Sequence, residues 1–167
     1  MDESGLTVVH KPGHILAKKG QKQVGKITSG QRGKTITVVC CFNAAGTYVP
    51  PMMIYPRKRM APTLMNGAPA GSLAKCSRNE WMDQDLFLDW LRHFRDFVQP
   101  TREKPCLLLL DDHNSHKTLE AISFARDNHI SMLVLPPHTT HRLQPLDCTF
   151  FGPLKTKFHQ EADILCR

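Results

Sequence analysis

No stretch of this 167-residue chain approaches the roughly 18 consecutive apolar residues that a membrane-spanning helix needs. The opening Met1-Asp2-Glu3-Ser4-Gly5 has neither the basic start nor the apolar core of a secretory leader, so no such leader is expected. Six cysteines (Cys40, Cys41, Cys76, Cys106, Cys148 and Cys166) include no Cys-x-x-Cys pair. They read as reduced, mostly buried thiols of an intracellular protein. There is no internal repeat and no long low-complexity segment. What remains is the composition of an ordinary globular domain, 41% hydrophobic, expected to form a single unit over residues 1–167.

Charge is the first positive signal. The chain carries a formal +7, with a pI near 9.3, which favours salt-sensitive attraction to a polyanion. Lys11, Lys18, Lys19, Lys22, Lys26, Arg32 and Lys34 crowd one early, glycine-interleaved stretch that reads as a mobile basic loop and the expected nucleic-acid contact. Arg57-Lys58-Arg59 reads as a solvated turn, with a phosphate contact or an import signal as the functional alternatives.

Periodicity supplies the elements. The β-branched run Thr35–Phe42, a turn over Asn43–Gly46, and Tyr48–Tyr55 predict a hairpin. The segment from Pro56 to Ser77 has no clear period and is expected to be irregular. From Asp83 to Val98, apolar residues recur at three- and four-residue steps, predicting an amphipathic helix with Trp90 in the core, stopped by Pro100. Leu107–Leu110 predicts a buried strand ending in carboxylates. A helix over Thr118–Asn128 follows, with Leu119, Ile122, Phe124 and Ala125 inward, then a strand over Ser131–Leu135. A last helix carries Phe150, Phe151, Leu154 and Phe158, its start placed near Pro153. This order suits an α/β fold, a mixed sheet with helices on its faces.

Three acids stand in distinctive settings: Asp2 in Asp-Glu-Ser-Gly, Asp111 in Leu-Leu-Leu-Asp-Asp-His-Asn-Ser-His, and Asp147 closing Pro-Pro-His-Thr-Thr-His-Arg-Leu-Gln-Pro-Leu-Asp. In that order these motifs closely resemble the catalytic core of the pogo/Tigger/jerky-like transposases, the DDE superfamily endonuclease domain. The resemblance runs to about Lys157. It implies a ribonuclease H-like fold whose first strand carries Asp2, and a first strand that is truncated here. It also implies helix-turn-helix modules ahead of the core, none of which occurs within these residues. Asp112 stands where such domains often carry Gly or Asn, so either of the adjacent acids is a ligand candidate, with Asp111 favoured.

The resemblance implies Asp2, Asp111 and Asp147 as catalytic metal ligands for two Mg²⁺ or Mn²⁺ ions. Carboxylates suit such hard cations, and two ions about 3.5–4 Å apart can serve both the attacking and the leaving oxygen of a phosphodiester. Strand alternation turns Glu3 and Asp112 away from their ligating neighbours. With His113 and His116 they are expected to support the site or touch phosphate, as are Arg142 and Gln144, both candidates for contact with the DNA strand. The implied partner is DNA, the implied compartment the nucleus, and a homodimer is an open expectation. Two other readings compete: a domesticated or truncated relative that binds without cutting, and a zinc-binding structural protein using His113-x-x-His116 with His138-x-x-His141.

Overall fold

The computed structural model describes residues 1–7, 19–20, 35–78 and 81–165. Strands β2 (Thr35–Phe42) and β3 (Tyr48–Tyr55) form the predicted antiparallel hairpin. Its turn is tied by Asn43, whose Oδ1 accepts from the N–H groups of Ala45 and Thr47 at 3.0 and 2.9 Å. Strand β1 (Asp2–Thr7) lies antiparallel to β2, with Asp2 opposite Cys40 and Thr7 opposite Thr35. β1 is paired with β2 over all six of its residues, which holds Asp2 in that register. Gly5 is required here: a Cβ at that position would lie 2.8 Å from Thr35 Cγ2.

The segment expected to be irregular contains one more strand, β4 (Leu73–Cys76), parallel to β3 with Met52 opposite Leu73. Four residues including a lysine carry no readable period. The ladder is supplied by β3, which makes this strand a product of pairing. The first sheet therefore runs β1-β2-β3-β4, while β5 (Cys106–Leu110) and β6 (Ile130–Val134) form a parallel pair. The two ladders meet where the Met1 ammonium donates to Leu109 O at 2.9 Å. That bond sets the start of β1 beside the end of β5.

Helix α1 (Gln84–Val98) begins as its sequence predicts, with Asp83 Oδ1 accepting from Leu86 N–H at 2.9 Å. It ends at Gln99, which adopts a left-handed conformation before Pro100. Phe87, Trp90 and Leu91 of its inner face are fully buried against Val39, Met52 and Ile54 of the first sheet and Leu108 and Leu110 of β5. Helix α2 (Leu119–Asp127), capped by the Thr118 hydroxyl, crosses from β5 to β6. Its inward face differs from the expected one. Ala121 and Ala125 are buried and Phe124 partly so, whereas Leu119 is 81% exposed and Ile122 is also at the surface. The cap sets the helical phase, and the alanine pair one turn apart permits close approach to the core.

On the other face of the first sheet, Phe150 packs edge-on against Phe42 at 5.4 Å. Phe150 ends a π-helical turn (Leu146–Phe150) that follows the short helix α3 (Thr140–Leu143) and leads into α4 (Phe151–Leu165). Helix α4 thus starts two residues before Pro153, which falls in its first turn. The five described cysteines are free. Only Cys41 is buried; Cys40, Cys76 and Cys106 are half-buried and Cys148 is exposed, fewer buried thiols than expected.

Candidate active site

The fold brings Asp2, Asp111 and Asp147 into one electrostatic neighbourhood from three separate elements. Asp2, first residue of β1, is 8% exposed and accepts at Oδ1 from the Glu3 N–H at 2.8 Å. Burial pushes its carboxyl up to about 6; the Glu3 N–H works against this, while the charges of Asp147 and Asp111 push in the same direction. Cys40, directly opposite, is raised to about 12 by burial and by the Asp2 charge, which leaves it an inert thiol. Asp147 is exposed on the π-helical turn, a geometry frequent at functional sites.

Asp111 follows β5 and is fixed from its own loop. His116 Nδ1 lies 3.0 Å from its Oδ1, and His113 N–H is 3.4 Å from the same oxygen. Burial raises the Asp111 carboxyl, yet hydrogen bonding and charge from His116, with help from His113, outweigh it and hold the group below its ordinary value. Asp112 turns elsewhere and pairs with Lys117. The two neighbouring acids are therefore separated by partner, with Asp111 the one whose charge reaches Asp2.

His116 is 2% exposed, its ring packed on Phe87 with centroids 4.3 Å apart. A residue so enclosed cannot touch a phosphate, and of the two roles anticipated for it only orientation of a carboxylate survives. Gln144 is corrected in the same way. It is 1% exposed, with Nε2 donating to Met1 O at 2.9 Å, so it offers nothing to a DNA strand and instead ties the Asp147 loop to the start of β1. His113 is exposed, its Nδ1 2.7 Å from Ser115 Oγ, and Arg142 is exposed beside the third acid. Glu3 points to the α1 face, opposite Val39, as alternation predicts. Burial, chiefly, pushes its carboxyl up to about 7, against the lowering effect of His116 and a hydrogen bond from the Met82 backbone.

Among the described residues no three carboxylate, imidazole or thiol groups converge closely enough to hold a metal ion as they stand. The zinc reading loses its geometric basis there, since neither His113 and His116 nor His138 and His141 belong to such a group. In kind, the acids fit a hard divalent cation: three carboxylates, one of them buried and repelled by the other two. Two clefts, of about 570 and 420 Å³, are lined by none of the three. Of the basic stretch, only Lys19 is described, and it is exposed; Lys11, Lys18, Lys22, Lys26, Arg32 and Lys34 lie outside the described residues. Arg57, Lys58 and Arg59 form an exposed turn after β3.

Residues 33–163 match the model of the DDE superfamily endonuclease. The chain belongs to this family. The matched span contains Asp111 and Asp147, while Asp2 precedes it. Over 98% of its length the chain is 29% identical to the Cochliobolus lunatus protein named MFS-type transporter clz9. Among the described residues no helix is long and apolar enough to cross a membrane. It is also 28% identical, over 81% of its length, to the Mus musculus pogo transposable element with KRAB domain, and 29% identical, over 74%, to the Mus musculus Jerky protein. It spans only 18%, 22% and 23% of those three proteins. Its fold is that of Mos1 transposase, the ribonuclease H-like mixed sheet flanked by helices. A pre-cleavage Mos1 transpososome aligns with 93% of the chain and 41% of its own, at a TM-score of 0.61 and 13% identity. The Mos1 paired-end complex with left transposon end gives 0.59.

Proposed function

We propose that this DDE-family domain is the catalytic core of a divalent-metal-dependent DNA endonuclease of transposase type. Asp2, Asp111 and Asp147 would hold Mg²⁺ or Mn²⁺, and DNA would be met on the face that exposes Asp147 and Arg142. The observation that carries this reading is electrostatic. Three acids far apart in sequence end close enough for Asp2 to feel the charge of both others. Such a cluster is unfavourable without a counter-cation and is what a cation site requires.

The chain's own residues would position the chemistry. The β1–β2 register and the Glu3 N–H hold Asp2, His116 holds Asp111, and the Gln144–Met1 bond sets the turn that presents Asp147. The bound ions supply Lewis acidity, making an attacking water or 3′-hydroxyl more acidic and neutralising charge on the leaving oxygen. Arg142 and the early basic stretch would attract the phosphate backbone without reading bases. Action on chromosomal DNA would place the protein in the nucleus.

A second reading, a core that binds nucleic acid without cutting it, is favoured by one observation: the acids are not converged among the described residues. Nicking of supercoiled DNA in Mn²⁺ separates the two. Cutting that is lost in both Asp111→Asn and Asp147→Asn supports the endonuclease. Salt-sensitive binding by the parent chain without any cutting supports the binding module.

A further inference from the structure

We infer that the outer edge of β6, with the cleft beside it, is a docking site for an extended acidic segment of a partner protein. The inference goes beyond the endonuclease reading and does not need it, since none of the three acids lines this cleft. Hydrogen bonding fixes which backbone groups of β6 look outward. Cys106 N–H donates to His129 O at 3.0 Å and Leu135 N–H to Leu110 O at 2.8 Å, one at each end of the β5–β6 ladder. In a parallel pair the bonds to one neighbour come from alternate residues of the strand. The odd-numbered residues of β6 therefore face β5, and the N–H and C=O groups of Ile130, Met132 and Val134 point away from it. Among the described residues no strand pairs with that edge. The strand itself, Ile-Ser-Met-Leu-Val, has neither the charge nor the proline that commonly blunts an open edge.

The cleft of about 570 Å³ between this edge and α2 identifies the occupant. Ile122 and Ala125 of α2 and Met132 and Val134 of β6 give it an apolar wall, and Ile122 is 45% exposed. Three basic side chains, Lys117, Arg126 and His129, share the lining; all are exposed, and no carboxylate joins them. Lys117 pairs with Asp112, and Arg126 lies 3.8 Å from Asp127, but exposed pairs of this kind are weak and readily exchanged. The edge thus offers backbone pairing, the wall apolar contact, and the rim attraction for carboxylates. Together they suit strand addition by a peptide that alternates apolar and acidic residues. The five residues of β6 span about 16 Å, so a docked segment of similar length is expected. DNA would use the cations but neither the strand edge nor the apolar wall. A second copy of this chain would set the same cations against themselves.

The test titrates the chain with a fluorescent peptide of alternating valine and glutamate, about seven residues long. Its controls are the same peptide with lysine for glutamate, and two peptides N-methylated at alternate backbone nitrogens, one for each phase. The expected result is saturable binding of the parent peptide below about 1 mM. Amide hydrogen exchange at Met132 and Val134 should slow in the complex. Binding should be lost with the lysine peptide and with one methylated phase only, because an added strand pairs along one of its edges. Arg126→Glu and Ile122→Ser, both at exposed positions, should each weaken binding roughly tenfold at unchanged melting temperature. Unchanged exchange along β6, equal affinity for the lysine peptide or for both methylated phases, or no binding at that concentration overturns the inference. A single-stranded oligonucleotide that protects the same amides in the peptide's place assigns the edge to nucleic acid. Sedimentation showing a dimer that Arg126→Glu disperses assigns it to a second copy. Either outcome also overturns the inference. Nicking in Mn²⁺ reads the endonuclease separately, so its failure leaves this result standing.

Discussion

Gln144, just past the end of α3, donates from Nε2 to the carbonyl oxygen of Met1, 143 positions back along the chain. This one buried bond joins the loop that carries the third acid to the strand that carries the first. Gln144→Ala should cost about 2 kcal/mol, since it strands the buried Met1 carbonyl. A lowered melting temperature, with DNA affinity unchanged in the folded protein, is the expected outcome. Arg142→Ala should show the reverse pattern, a weaker and less salt-sensitive interaction with DNA at unchanged stability.

At Gly5 any side chain meets Thr35 Cγ2, a branched methyl that cannot rotate away freely. Gly5→Ala should therefore destabilise the domain by about 1–3 kcal/mol, the usual cost of overpacking. Thr35→Ser removes the obstructing methyl and should recover most of the loss. Denaturant melts of the two single variants and the double variant measure the coupling.

Acid titration should be unusual in direction. Asp2 and Glu3 are raised in the folded protein to about 6 and about 7, from ordinary values of 3.8 and 4.5. Between those limits the folded state holds protons that the unfolded state has released, so stability falls as pH rises. The contribution is present in full below about pH 4 and lost above about pH 7. Asp111 is lowered and acts oppositely, its contribution disappearing as pH falls through its folded value. Melting temperatures in EDTA across pH 4 to 8 should decline less steeply in Asp2→Asn and in Glu3→Gln than in the parent.

The two adjacent acids should separate cleanly on substitution. Among the described residues Asp112 engages Lys117 alone, and both are partly exposed, so Asp112→Asn should cost less than about 1 kcal/mol and leave Mn²⁺ stabilisation intact. Asp111→Asn should abolish the Mn²⁺ response. Thermal shift titrations of both variants give the answer, and an Asp112→Asn chain that alone lost the response would reverse the assignment.

Where structure depends on neighbours along the chain, the sequence was sufficient. The Asp83 cap, the three- and four-residue spacing through Trp90, and Pro100 delimit α1. The Asn43–Gly46 turn makes the β2–β3 hairpin, and the run of leucines makes β5. Family membership was legible for the same reason, since its motifs are short and contiguous. What local pattern could not decide was set by pairings between distant segments. β4 exists because β3 offers it a ladder. The inner face of α2 is chosen by how closely Ala121 and Ala125 approach the core, so the larger Leu119 is left at the surface. Gln144 and His116 look in sequence like polar residues free to meet DNA, but the fold encloses both and gives them to Met1 and Asp111. Side-chain type records which bonds a residue can make. Only the closing of β1 against β5, through Met1 and Leu109, determines which of those bonds water is excluded from, and so which residues build the site and which face the substrate.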